Sequence, residues 1–131
     1  EIYAYAAAYS PTPEGGVLLP FDDTGRLVPE VWQRWLAHDP VRMAGERRYA
    51  EALRSMRAIW VDAGRRDEYF LDLGAAAFHR AVLAAGVPAD RVRFELFDAG
   101  HAAVEYRYAP ALAWLSRRLT PEPAGPSGRG G

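Results

Sequence analysis

The stretch VDAGRRDEYF, residues 61–70, is the part of the sequence that decides the fold. It contains the end of an apolar strand, a glycine, two arginines and then the adjacent carboxylates of Asp67 and Glu68. A second stretch, FELFDAGH at residues 94–101, again places a glycine after an apolar strand and ends at His101. Glycines at such positions permit tight turns directly after a strand. The two stretches therefore predict strands with chemically active side chains just beyond their carboxyl ends.

The hydrophobic pattern on either side predicts an α/β fold. Apolar runs that end in turn residues predict three strands, at residues 2–9, 57–64 and 91–98. Apolar residues at helical spacing predict helices from Pro29 to the HDP at 38–40, at 46–56, at 70–85 before Gly86, and at 108–119. Residues 10–28 are rich in proline and glycine and predict a long irregular excursion, and residues 120–131 predict a disordered tail. Strands that alternate with helices indicate a parallel sheet with crossover helices.

Composition excludes several classes of protein and site. The chain has 131 residues, a net charge of −1 and 25% charged residues, which predicts one domain and no nucleic-acid partner. The absence of cysteine excludes disulfides, thiolate nucleophiles and cysteine-based metal sites. The longest apolar run is far shorter than the roughly 20 residues that span a bilayer, and no targeting segment is visible. Three scattered histidines predict no metal site and no cofactor is expected; the compartment stays open, with the cytoplasm slightly favoured.

Asp67 and His101 form the candidate catalytic pair. Neighbouring parallel strands are about 5 Å apart, so side chains on adjacent strand-end loops can meet. A carboxylate beside a histidine fixes the tautomer of the imidazole and stabilises the imidazolium that forms when the ring takes a proton. This is the acid and base portion of a nucleophilic triad, and the order of acid before histidine is the one used by α/β-hydrolases.

Each candidate also has a structural interpretation. Asp67 could instead pair with Arg65 or Arg66 on the surface, Glu68 is the rival acid, and His101 could serve only its turn. The remaining polar candidates are better explained by local structure, as capping, turn-forming or helix residues: Ser10, His38, Asp62, His79 and Asp98.

Several motifs carry a family resemblance over residues 1–119. The segments AAAYSP, HDP, IWVDAGRRDEYF, RFELFDAGH and EYRYAPALAWLSRRL resemble the C-terminal half of an esterase-family α/β-hydrolase, similar to enterochelin esterases, S-formylglutathione hydrolases and the mycolyltransferase antigens. The resemblance implies a partial α/β-hydrolase fold, a three-layer sandwich, with Asp67 as triad acid and His101 as triad base. It also implies that AAAYSP belongs to a strand after the nucleophile-bearing helix.

The sequence departs from this family at the nucleophile. No G-x-S-x-G occurs in the 131 residues, so the serine turn and the oxyanion-hole donors are expected upstream of Glu1 or on a complementary chain. A serine carboxylic-ester hydrolase with a small-molecule ester substrate is the first hypothesis, and an acyltransferase of the same fold is its variant. A non-catalytic α/β binding or assembly module is the alternative. Under either hypothesis the uncovered sheet edge predicts association with the missing half or with a second copy.

Overall fold

The computed structural model describes residues 2–119, which form six helices and two strands. In chain order these are α1 (Ile2–Tyr9), α2 (Pro29–Leu36), α3 (Pro40–Met43), α4 (Arg47–Ser55), β1 (Ile59–Gly64), α5 (Leu71–Ala84), β2 (Val92–Phe97) and α6 (Tyr108–Leu119). Short 3₁₀ turns precede β2 and α6, at Ala89–Arg91 and Glu105–Arg107. The tail predicted for residues 120–131 lies outside the described residues.

β1 and β2 are parallel neighbours, and α5 is the crossover between them. Their register runs from Ile59 opposite Val92 to Gly64 opposite Phe97. The predicted α/β class, both of these strands and the parallel pairing are thereby confirmed. Because the strands are parallel, the segments that carry Asp67 and His101 leave the sheet at the same edge.

One face of the sheet packs against the crossover helix. Ile59 on β1, Val82 on α5 and Val87 after it are the buried centre, and Val82 has no exposed surface. Partly buried side chains surround them: Leu53, Val61, Phe78 and Val92. Gly86, with φ +89°, ends α5 in the left-handed conformation that the sequence predicts there. This packing holds α5, which begins four residues after Asp67, against the sheet.

The other face of the sheet carries charge beneath α6. Asp62 and Glu95 lie directly opposite one another in the register, an arrangement in which two carboxylates repel. Arg107 bridges them, since its Nε donates to Oδ2 of Asp62 at 3.0 Å and its Nη2 donates to Glu95. The sequence suggested a local partner for Asp62. Its partner is instead Arg107, which lies far along the chain.

The strand predicted at residues 2–9 is wrong. These residues form α1, and in the described part of the chain the sheet has two strands and not three. Four of the eight residues of α1 are alanine, the best helix former, and a short apolar run does not by itself separate helix from strand. Ser10 consequently follows a helix, where its backbone N–H donates to the carbonyl of Ala6 at 2.8 Å.

The predicted helices are confirmed, and so is the irregular excursion between α1 and α2. Residues 10–28 form two tight loops, closed by isolated bridges between Pro11 and Val17 and between Phe21 and Leu27. The HDP segment ends α2 as expected, and it also begins α3, because Oδ1 of Asp39 accepts the N–H of Val41 at 2.9 Å. None of the helices in residues 2–119 combines the length and apolar character needed to cross a membrane.

Replacing Arg107 by glutamine should destabilise the protein in a pH-dependent way. The hydrogen bond from Arg107, followed by that from Arg93, holds the pKa of Glu95 below its ordinary 4.5. Stability from ionised Glu95 is therefore present above about pH 4.5 and is lost as pH falls through the lowered pKa. Arg107→Gln should cost about 2–3 kcal/mol at pH 7 by leaving two facing carboxylates unbridged, and the deficit should shrink towards pH 3.

Chemical unfolding at pH 7 and pH 3 measures this effect. Arg93→Gln is the matched control, because Arg93 is more exposed and contacts only Glu95 of the two carboxylates, so its loss should be below about 1 kcal/mol. An Arg107→Gln deficit of equal size at both pH values would contradict the bridging role.

Candidate active site

The two segments that follow the strands are bonded to each other along their length. The backbone N–H of Arg65 donates to the carbonyl of Phe97 at 2.8 Å, and that of Arg66 donates to the carbonyl of Ala99 at 3.0 Å. Side chains add to this contact, since Nε of Arg66 lies 3.1 Å from Oδ1 of Asp98. The pairing of the sheet thus continues past Gly64 and aligns Asp67 with the segment that carries His101.

Gly64 makes this alignment possible because it has no side chain. A Cβ at Gly64 would lie 2.3 Å from the carbonyl oxygen of Ala99 and 2.4 Å from that of Gly100. The 98–101 segment therefore crosses directly over the end of β1, at a distance that only glycine allows. This is the close backbone approach that a glycine at a strand end commonly serves.

Asp67 and His101 are in contact, as the sequence predicts. Oδ2 of Asp67 lies 3.1 Å from Nδ1 of His101. The carboxylate is buried, with 8% of Asp67 exposed, and its Oδ1 accepts the backbone N–H of Tyr69 at 2.8 Å. The imidazole is more open, since 48% of the His101 side chain is exposed. The pair therefore has a fixed, buried acid and an accessible ring.

The surroundings of Asp67 keep its carboxyl group ionised. Burial raises the pKa of Asp67 and is the largest single influence, but hydrogen bonds from the N–H of Tyr69, from His101 and from the N–H of Leu71 outweigh it. The result is a pKa below the ordinary 3.8. An ionised carboxylate can only accept, so the contact with Asp67 requires the proton on Nδ1 of His101. Nε2 is then the basic nitrogen, and it has no hydrogen-bond partner among residues 2–119.

Glu68, the rival acid, contacts His101 in a different way. Its Oε2 accepts the backbone N–H of His101 at 3.1 Å, so it holds the main chain while Asp67 holds the ring. The ring of Tyr69 lies edge-on to the imidazole, with centroids 4.9 Å apart. Three consecutive residues, Asp67 to Tyr69, thus contact the same histidine. The sequence pointed to the first two but carried no signal for the third.

The competing structural interpretation of Asp67 does not match the contacts. The side chain of Arg65 donates to the carbonyl of Leu96 at 3.0 Å, and that of Arg66 pairs with Asp98, so neither pairs with Asp67. Asp98 was expected to form a turn through its side chain and instead makes this ion pair.

The remaining candidates lie in structural contacts elsewhere. The ring of His38 stacks on Tyr9 with centroids 5.0 Å apart, and that of His79 stacks on Phe94 at 4.5 Å. Ser10 is fully buried, and its hydroxyl accepts from Nε1 of Trp35 at 2.8 Å and donates to the carbonyl of Leu18 at 2.7 Å. These contacts give Ser10 a packing role.

Backbone strain is concentrated beside the pair. Within residues 2–119, two residues other than glycine have positive φ: Phe70 at 59° and Ala103 at 58°. Phe70 lies three residues after Asp67, and Ala103 lies two residues after His101. A side chain in this region costs on the order of 1–3 kcal/mol and is characteristic of functional sites. The sequence carried no signal for either strained position.

Two cavities meet at His101. One, of about 420 Å³, lies between the N-terminal half of α5 and α6, and its lining is largely apolar but includes Asp62, Asp67, His101 and Arg107. The other, of about 560 Å³, shares Leu71 and His101 with the first and is otherwise lined by Tyr5, Glu68, Tyr69 and Phe70. In the described range no group of three or more histidine and carboxylate side chains could hold a metal ion. The arrangement thus offers an acid–base pair between two spaces that could receive a small molecule.

Neither protein-family models nor the sequences of curated proteins gave a match to this chain.

Gly64→Ala should displace the 98–101 segment. The new methyl group would meet two carbonyl oxygens, so we expect a loss of about 1–3 kcal/mol in the free energy of unfolding and a shift of the His101 ring resonances in NMR spectra. Gly74→Ala is the matched control, because a Cβ there meets no atom within 4 Å and Gly74 lies inside α5. That variant should gain about 0.5–1 kcal/mol and leave His101 unchanged. Equal behaviour of the two variants would contradict the close approach.

The carboxyl group of Asp67 should titrate below pH 3.8, as measured by the carboxyl ¹³C chemical shift. Because the folded-state pKa is lowered, stability from ionised Asp67 is present above that value and is lost as pH falls through the lowered pKa. His101→Ala removes one of the groups that lower the pKa, so the midpoint should rise. His38→Ala, a change at an exposed histidine stacked on Tyr9, should leave the midpoint where it is. A midpoint that is insensitive to His101 would show that the two side chains do not interact in solution.

Proposed function

We propose that this chain supplies the acid and the base of a serine carboxylic-ester hydrolase, with Asp67 as the acid and His101 as the base. The contact of 3.1 Å between Oδ2 of Asp67 and Nδ1 of His101 is the observation that carries the proposal. Two further features support it: the pair follows adjacent parallel strands, and Nε2 of His101 is unpartnered within residues 2–119. Open α/β sheets commonly hold their active sites at this edge.

The proposed reaction needs a nucleophile that residues 2–119 do not present. Ser10 is buried and hydrogen-bonded, and no G-x-S-x-G occurs in the sequence. The proposal therefore requires a serine from a preceding segment or a complementary chain. As that hydroxyl attacks the ester carbonyl carbon, Nε2 of His101 takes its proton, and the imidazolium is stabilised by ionised Asp67.

The proton taken from the serine leaves with the alcohol, and a proton from water later restores the serine. The imidazolium donates the serine's proton to the alkoxide oxygen as the C–O bond breaks, which releases the alcohol and leaves an acyl-enzyme. His101 then takes a proton from water as the hydroxide oxygen attacks the acyl carbon, and returns it to the serine as the acid departs. An acyltransferase would differ only in accepting an alcohol in place of water.

The arrangement of helices supports the same proposal at the level of the fold. α5 packs on one face of the β1–β2 pair, while Trp114 of α6 meets Trp60 on the other face, with ring centroids 5.8 Å apart. Helices on both faces of a parallel sheet are what an α/β-hydrolase sandwich of three layers requires. We propose that residues 2–119 are part of such a sandwich.

Exposed apolar side chains favour an assembly module as the second candidate. Large apolar residues on α5 and α6, including Leu73, Tyr108 and Leu112, are more than half exposed, which is unusual for a surface that remains in water. β1 has a partner on one edge only in the described sheet. Association with the missing half or with a second copy is expected under both candidates, so a stable, cooperatively folding monomer in sedimentation would count against that expectation, while the labelling below separates the two.

Labelling by an organophosphonate tests the hydrolase in the full-length product of the gene that encodes this chain. The parent should be labelled, His101→Ala should be labelled at least about a thousandfold more slowly, and Asp67→Asn should lose a similar amount because the tautomer is no longer fixed. His38→Ala is the matched control, because His38 stacks on Tyr9 away from the pair, and it should be labelled at the parental rate. A His101→Ala protein that is labelled as fast as the parent would remove His101 from the base role.

A further inference from the structure

Phe70 combines two unfavourable features in one side chain. Its backbone is left-handed, with φ 59° and ψ 30°, a conformation that bulky residues rarely adopt. Its side chain is also the most exposed of the large apolar residues in the described range, at 70%. Neither feature is needed to start α5, because glycine or asparagine would adopt the same backbone conformation at lower cost. An exposed phenyl group on a strained backbone therefore indicates a role in binding.

The position of Phe70 indicates what it binds. It lines the 560 Å³ cavity that also contains the imidazole of His101. Tyr69 also lines this cavity and lies edge-on to His101. Tyr5 of α1 lines it as well, and the ring of Trp35 packs against Tyr5 with ring centroids 6.2 Å apart. Three aromatic side chains thus line the same cavity as the candidate base.

Charge in this cavity narrows the class of ligand. Glu68 is the carboxylate that lines it, and the described lining has no arginine. One oxygen of the Glu68 carboxylate accepts the backbone N–H of His101, but this hydrogen bond does not remove the negative charge of Glu68. An anionic group would be repelled here, whereas a neutral aromatic ring can stack on Phe70 and the tyrosines.

We infer that Phe70, with Tyr5 and Tyr69, forms a subsite for a neutral aromatic group of the substrate, next to His101. This inference rests on the proposed ester hydrolase and adds the class of ester that it would prefer. Stacking against a substrate ring removes the exposed phenyl surface from water, which offsets part of the cost of holding it there. The strained backbone keeps the phenyl ring in the cavity before the ligand arrives, and such preorganisation favours binding.

Phe70→Gly tests the subsite, because glycine relieves the strain while removing the ring. We expect its midpoint of thermal unfolding to equal or exceed that of the parent, by up to about 5 °C. We also expect the kcat/KM for benzyl acetate or methyl phenylacetate, relative to ethyl acetate, to fall about tenfold or more. Leu73→Ala is the matched control: Leu73 is 64% exposed, lies one turn further on and does not line the cavity, so the ratio should not change.

The outcomes separate this inference from the proposed function. A full-length parent that hydrolyses none of the three esters overturns the hydrolase. An active parent whose ester ratio is the same in Phe70→Gly overturns the subsite and leaves the hydrolase standing. If Phe70→Gly instead turns an associated protein into a monomer without changing the ratio, Phe70 belongs to a protein interface and the subsite is again overturned.

A binding measurement decides the subsite even where no ester is turned over. Benzyl alcohol, a neutral aromatic product, should shift the NMR resonances of Tyr69, Phe70 and His101 saturably. Phe70→Gly should weaken this binding about tenfold, and Leu73→Ala should not weaken it. Shifts that do not saturate, that centre on other residues, or that persist unchanged in Phe70→Gly would overturn the inference.

Discussion

The crossing of the 98–101 segment over the end of β1 is the constraint on which the candidate site depends. The backbone of residues 99 and 100 passes over Gly64 at a distance that no side chain would permit. If the segment were lifted by the width of a methyl group, the contact between His101 and the buried carboxylate of Asp67 would lengthen beyond hydrogen-bonding range. The backbone bonds from Arg65 and Arg66 to residues 97 and 99 hold the segment down. A missing side chain thus matters as much to the site as the side chains that are present.

Two charged clusters occupy the sheet, and they differ in what is left unpaired. Under α6, Arg107 neutralises both Asp62 and Glu95, and Glu95 also pairs with Arg93. This network joins the sheet to the turn before α6, and each of its charged side chains has a partner of opposite charge. At the carboxyl edge, Asp67 engages one nitrogen of His101 and leaves the other without a partner in the described residues. An incomplete network next to open space is the arrangement that general-base chemistry needs.

The sequence predicted those parts of the fold and site that depend on local pattern. β1, β2 and α5 follow from apolar spacing with a glycine near the end of each, and α6 follows from apolar spacing alone. The meeting of Asp67 and His101 follows from parallel neighbours that share one edge. The strand prediction for residues 2–9 failed because an alanine-rich apolar run is compatible with both a helix and a strand, and the surrounding structure decides between them. The bridge by Arg107 and the left-handed backbone of Phe70 could not be predicted from the sequence, for another reason. A long-range ion pair and a single dihedral angle leave no periodic trace in the chain.

The order of the adjacent carboxylates also has a physical reason. In the turn after β1, the short side chain of Asp67 reaches the N–H of Tyr69, two residues ahead, as aspartate does in turns of this kind. That bond orients Oδ2 towards the imidazole. The longer side chain of Glu68 spans the gap to the backbone N–H of His101, at 3.1 Å. Exchanging the two residues would put the long side chain where a local bond is required and the short one where reach is required. The order Asp67 then Glu68 is therefore required by the way this turn holds His101, and the reverse order would have the same composition but not these contacts.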